Sequence, residues 1–113
     1  MIFYHITTEK EWSAAQKSGV YLPAAYEKDG FIHCSKREQV LNTARRFYAG
    51  QSGLVLLKID TKNLSSRFVE ENLEGDPVLF PHIYGPLNLS AVVATAPFVE
   101  SSNQEFHFPE SLE

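Results

Sequence analysis

The sequence predicts an α+β domain, and three observations carry that expectation. Both strong helical patterns lie in the first half of the chain. The apolar and alternating runs after residue 54 follow one another with no helical pattern between them. The length, 113 residues, is that of one domain. Eight Phe, five Tyr and one Trp supply large pieces for a core, and a chain of this size needs no staples to bury them. A single cysteine forbids an intrachain disulfide and points to a reducing compartment. The N-terminus has no basic segment followed by a long apolar run, and no stretch approaches ~20 apolar residues. A cytoplasmic location with no membrane partner is therefore expected. The net charge of −4 disfavours general attraction to nucleic acid.

Residues 2–6 alternate as a strand, with Phe3 and His5 on one side and Ile2, Tyr4 and Ile6 on the other. Thr8 and Glu11 have the spacing of a capping box, which opens a helix over 9–18. Trp12 and Ala15 share its apolar face, and Gly19 follows as its C′ residue. Residues 20–29, with Pro23, Ala24 and Ala25, read as a loop long enough to cover a cleft. A second strand over 31–34 leads to a second capping box, Ser35 and Glu38, and to a helix over 36–49. Its stripe is Val40, Ala44 and Phe47, flanked by Leu41 and Tyr48, and Gly50 ends it. Lys36, Arg37, Arg45 and Arg46 read as its solvated face.

Leu54 to Ile59, interrupted only by Lys58, has the composition of a central buried strand. Residues 60–63 turn the chain. A strand over 67–72 ends at a Gly75-Asp76-Pro77 turn. A strand over 78–84 contains Pro81, which belongs at an edge, a bulge or a bend. A last strand spans 91–99. Residues 1–99 form the domain, and 100–113, polar except for Phe106 and Phe108, read as a loosely attached tail.

The strand–His–capped-helix unit occurs twice, at His5 and at His33. Both histidines stand just before a helix N-terminus, where free N–H groups favour anions, so they are expected to meet in one cleft. Histidine is also the side chain best suited to handle protons near neutral pH. In Phe80-Pro81-His82-Ile83-Tyr84-Gly85-Pro86, His82 and Tyr84 are two apart and share a strand face. The bland alternatives are two histidines that satisfy buried polar groups and a rigid Pro/Gly turn. Cys34 neighbours His33 but points to the opposite face, so a packed, inert thiol is expected rather than a nucleophile. His5, His33 and His82, with Glu71 as a fourth donor, have the right chemistry for a metal. No pair has a spacing such as His-x-x-x-His, so no metal is expected.

Tyr4-His5-Ile6-Thr7, Gly30-Phe31-Ile32-His33-Cys34-Ser35, Arg46-Phe47 and Phe80-Pro81-His82-Ile83-Tyr84-Gly85-Pro86-Leu87 together resemble the signature of the family of unknown function numbered 952, over about residues 2–97. That family is placed with the ADP-ribosyltransferase-like folds, which include RNA 2′-phosphotransferases. The resemblance implies a split, mostly antiparallel sheet of about six strands with two main helices. It implies that His5, with Thr7 completing a Tyr-His-x-Thr setting, binds the ribose of NAD. It places His33, in a His-x-Ser setting with Ser35, near the nicotinamide. The third position is a Glu in active members. The matching segment here offers His82 and Tyr84, and Glu70 or Glu71 on the preceding strand substitutes only by reaching the cleft. An arginine that the phosphotransferases carry before the second strand is replaced by Asp29-Gly30. The expected function is an ADP-ribosyltransferase-like protein that binds NAD or another nucleotide and transfers ADP-ribose to an acceptor. In it His82 serves as acid/base, His33 and Tyr84 flank the base, and Arg46 meets phosphate. The alternative, favoured by the missing Glu, is a non-catalytic module for a nucleotide or small phosphorylated ligand.

Overall fold

The alternating N-terminal run forms strand β1 (Ile2–Thr8), which stops where Thr8 caps helix α1 (Glu9–Ser18). Thr8 Oγ1 accepts from the Glu11 N–H at 3.1 Å. The Glu11 carboxylate does not reciprocate; it accepts from the Ala24 N–H at 3.2 Å and ties the next segment to the helix. Gly19, at φ 90°, ends α1 in the left-handed conformation that glycine adopts without strain. Replacing Thr8 by alanine is expected to cost about 1 kcal/mol, read as a lower denaturant midpoint. An unchanged midpoint would mean that this cap contributes nothing.

The computed structural model describes the chain except Leu73, Glu74, Asp76 and Gln104, so the turn expected at Gly75-Asp76-Pro77 lies partly outside the described residues. The segment expected as a loop after Gly19 instead contains strand β2 (Val20–Tyr21) and the short helix α2 (Ala25–Asp29). Pro23 starts the turn that becomes α2, its carbonyl accepting from the Tyr26 N–H at 2.9 Å. Strand β3 is only Ile32–His33.

The second helix begins later than its spacing predicts. A 3-10 turn over Arg37–Gln39 precedes α3 (Val40–Phe47). Ser35 is not its cap. The Ser35 backbone exchanges two 2.8 Å hydrogen bonds with Tyr4 of β1, and its buried hydroxyl lies 3.3 Å from that of Thr43. With Ser35 committed to β1, the start of the helix moves on, and Gln39 Oε1 accepts from the Lys36 N–H at 2.9 Å. The buried stripe of α3 is Val40, Thr43 and Ala44. Phe47, expected in the core, is 54% exposed, because the last turn of this short helix runs past the core edge.

Five further strands follow: β4 (Leu54–Asp60), β5 (Arg67–Glu71), β6 (Phe80–Tyr84), β7 (Leu87–Asn88) and β8 (Val92–Phe98). All pairings are antiparallel. The strands do not lie in one continuous sheet, and the split expected for about six strands goes further. They form three sheets, β1-β4-β8, β3-β6-β5 and β2-β7. The Tyr4–Ser35 bridge joins the first two. Pro97 lies on the edge strand β8, where a missing N–H breaks no ladder. Pro81, expected at an edge, a bulge or a bend, is in the central strand β6. It is tolerated because β3 pairing ends at His33–His82; beyond it, the Pro81 carbonyl accepts one last bond from the Cys34 N–H at 2.9 Å.

The apolar run of β4 is buried on both faces. Val55, Leu57 and Ile59 join Phe3, Tyr21, Ile32 and Ile83 on one side. Leu54 and Leu56 join Tyr4, Ile6, Val40 and Phe98 on the other. That second cluster is closed by the C-terminal segment, which is packed rather than loose. Phe106 and Leu112 are buried, and the Tyr4 hydroxyl donates to the Leu112 carbonyl at 3.1 Å. Arg37 stacks 3.6 Å above the Phe108 ring and pairs with Glu113. The described polar residues around Phe106 and Leu112 are exposed or half-buried. Among the described residues, no helix is long and apolar enough to cross a membrane.

Candidate functional site

β1 and β3 bring the first two histidines together. His5 Nδ1 lies 2.6 Å from the His33 carbonyl oxygen, and His5 Nε2 lies 2.7 Å from the Tyr21 hydroxyl. A carbonyl only accepts, so Nδ1 carries the hydrogen. Burial lowers the His5 pKa to about 4, outweighing the opposite pull of the His33 carbonyl. The ring is therefore neutral at pH 7, and Nε2 accepts from the Tyr21 hydroxyl. The Tyr21 hydroxyl also lies 2.8 Å from Thr7 Oγ1, so Thr7 extends the chain. Both nitrogens of His5 are thus engaged within the protein. Burial also pushes the Tyr21 hydroxyl strongly upward, which keeps it a donor at any ordinary pH.

Beside this chain opens a cleft with a narrow inner part of about 130 Å³ and a wider outer part of about 450 Å³. The two parts share Asp29, Phe31, His33 and Tyr48. His5, Thr7, Glu11 and Tyr21 line the inner part; Thr43 and the exposed Phe47 line the outer. Among the described residues, no Lys or Arg lines either part.

His82, Glu71 and Tyr84 form a second cluster on the far side of Phe31. Phe31 stacks on His82 with ring centroids 3.9 Å apart and planes 19° from parallel. His82 Nδ1 lies 2.9 Å from Glu71 Oε2, and the Tyr84 hydroxyl donates to the same oxygen. The Tyr84 bond, followed by that of His82, holds the Glu71 carboxyl below its usual range. The same bond raises the Tyr84 hydroxyl. His33 and His82 are cross-strand partners with centroids 5.5 Å apart, so His33 touches both regions.

The structure therefore unites His5, Thr7 and His33 along the cleft. It sets His82, Glu71 and Tyr84 behind the Phe31 ring, where they do not line it. Ser35 is buried against Thr43. Arg46 is outside the cleft lining, its guanidinium 5.1 Å from the Phe47 ring centroid at the mouth. Cys34 is 1% exposed against the core, and burial raises its thiol pKa, as expected of a packed cysteine. Among the described residues, no group of three or more His, Cys, Asp or Glu is placed to hold a metal.

Sequence reasoning missed Tyr21, Phe31 and Tyr48 as site residues. Phe31 was within reach, since it is two residues before His33 and alternation puts both on one face. Tyr21 and Tyr48 carry no local signal, because each reaches the cleft only through the packing of β2 and α3.

Fold and site together define an α+β domain whose antiparallel sheets hold an aromatic-walled cleft with two histidines on its inner wall. Residues 6–95 match the family described as Protein of unknown function (DUF952), and the chain belongs to that family. It is similar to the protein CC0527 from Caulobacter crescentus. The crystal structure of CC0527 is 33% identical, covers 99% of this chain and 98% of its own, and superimposes with a TM-score of 0.87. The solution NMR structure of CC0527, also 33% identical, covers 92% and 90% with a TM-score of 0.75. No curated protein matches.

Proposed function

We propose that the cleft binds a nucleoside or nucleotide, with the base against Phe31 and Tyr48, and that the domain is a binding module rather than an ADP-ribosyltransferase. The observation that carries this reading is the cleft itself. Its outer part, about 450 Å³, is the size of small-ligand pockets, and Phe31, Phe47 and Tyr48 supply faces for a flat ring. Polar groups are few: His33, Thr43 and Asp29 are placed to meet a ribose. His5 acts as a structural clamp. Its bond to the His33 carbonyl holds β3 in place, and with both nitrogens engaged it has no free lone pair to act as a base.

NAD fits this site only in part. A diphosphate would meet Asp29 and Glu11 inside, and among the described residues no Lys or Arg lines the cleft to offset them. Support for binding over transfer comes from Glu71. A carboxylate that acts on the ribose has to touch it, and this one is engaged by His82 and Tyr84 beyond the Phe31 ring.

Calorimetric titration with adenosine, guanosine, AMP and NAD tests the reading, alongside an assay for nicotinamide release. Saturable binding without nicotinamide release is expected. Phe31→Ala should weaken it about tenfold or more, since stacking of a base on an aromatic ring is worth ~1–3 kcal/mol. No binding of any of these at millimolar concentration would overturn the proposal, and nicotinamide release would restore the transferase.

A further inference from the structure

We infer, resting on the nucleoside reading above, that the cleft selects positively charged or neutral ring systems over phosphate-bearing ones, so that its preferred ligand is a cationic nucleoside. Charge and aromatic surface both favour a cation in this cleft. Among the described residues, the lining has two carboxylates, Glu11 and Asp29, and no Lys or Arg. The rings of Phe31, Phe47 and Tyr48 face the same outer space as Asp29. Aromatic faces beside a carboxylate attract a cation twice over, through the ring quadrupole and through the negative charge.

The field of these carboxylates reaches the cleft wall. Burial raises the Tyr48 hydroxyl, and Glu11 and Asp29 raise it further. Glu11 also adds to the rise at Tyr21. Helix termini do not reverse the sign. The C-terminal end of α3, which is partially negative, leads into Phe47 and Tyr48. The N-terminal end of α1, which is partially positive, carries Glu9 and Glu11 in its first turn. Arg46 lies over the Phe47 ring, 5.1 Å from its centroid, and is not part of the lining.

The ring charge can be varied at nearly constant shape by using 7-methylguanosine, titrated in mildly acidic buffer where N1 keeps its proton and the ring is a cation, against guanosine and GMP. Calorimetric titrations of the intact protein should rank them in that order, with 7-methylguanosine about tenfold tighter than guanosine, the scale of a partly desolvated cation–aromatic contact. GMP should be the weakest. The double variant Glu11→Gln, Asp29→Asn keeps the shape and the Glu11 acceptor oxygen, and should bring the 7-methylguanosine to guanosine ratio close to one. If that variant does not fold, raising the salt concentration with unaltered protein serves instead and should narrow the same ratio by screening. GMP binding as tightly as 7-methylguanosine would overturn the charge preference and leave the nucleoside reading standing. Absence of binding by all three would overturn both.

Discussion

The domain should lose about 3 kcal/mol of stability between pH 6.5 and pH 4, through His5 alone. The folded pKa of His5 is lowered to about 4 from an ordinary 6.5 because the ring is buried. The unfolded chain therefore binds a proton at a pH where the folded chain does not. Stability from this group is fully present above pH 6.5, is lost as pH falls toward 4, and changes no further below that. At ~1.4 kcal/mol per pKa unit, the shift is worth about 3 kcal/mol. Urea melts across this range should show the loss in the natural sequence and a flatter profile in His5→Gln. Glu71 adds its own acid sensitivity, since a lowered carboxyl pKa stabilises only while the carboxyl is ionised, but that contribution is common to both proteins. Identical pH profiles for the two would show that His5 is not held neutral, and the tautomer assigned to it would fall with that result.

Phe106→Ala should cost about 4 kcal/mol, although Phe106 lies in a segment that reads as a polar tail. The ring is 3% exposed and packs against Phe98 with centroids 5.0 Å apart. Removing a buried phenyl group loses its transfer energy and leaves a cavity between β8 and the terminal segment, and such changes cost ~3–5 kcal/mol. The effect would be read as a fall in denaturant midpoint with little change in slope. A loss below about 1 kcal/mol would mean that residues 100–113 are detached in solution and that the domain ends near Val99.

Periodicity made a good part of this molecule legible. Alternation over 2–6 located β1, the run from Leu54 located β4, and Thr8 with Gly19 bounded α1 to within a residue. These are short-range effects, in which the signal and the structure it produces lie within one turn or one strand. The early helices and late strands likewise sufficed for the α+β class. Where the reading failed, a distant partner had taken over a local group. Ser35 has a capping residue's sequence, but its backbone is spent on Tyr4, thirty-one positions earlier in the chain. Phe106 lacks a patterned neighbourhood, and its burial depends on a gap left by β8 and α3.

The candidate site divides along the same line. The sequence by itself determined that Cys34 faces away from His33 and that His82 and Tyr84 share a face. Each of these follows from the two-residue repeat of a strand. Only the tertiary structure decided which of them meet a ligand-sized space. Phe31 lies flat on His82 and so sets Glu71 and Tyr84 apart from His5, while His33 touches both sides. The Tyr21 hydroxyl reaches His5 because β2 pairs with β7, a contact between segments more than sixty residues apart. Whether a histidine is a base, a clamp or a wall depends on what occupies its second nitrogen, and that partner comes from packing rather than from the histidine's neighbours in the chain.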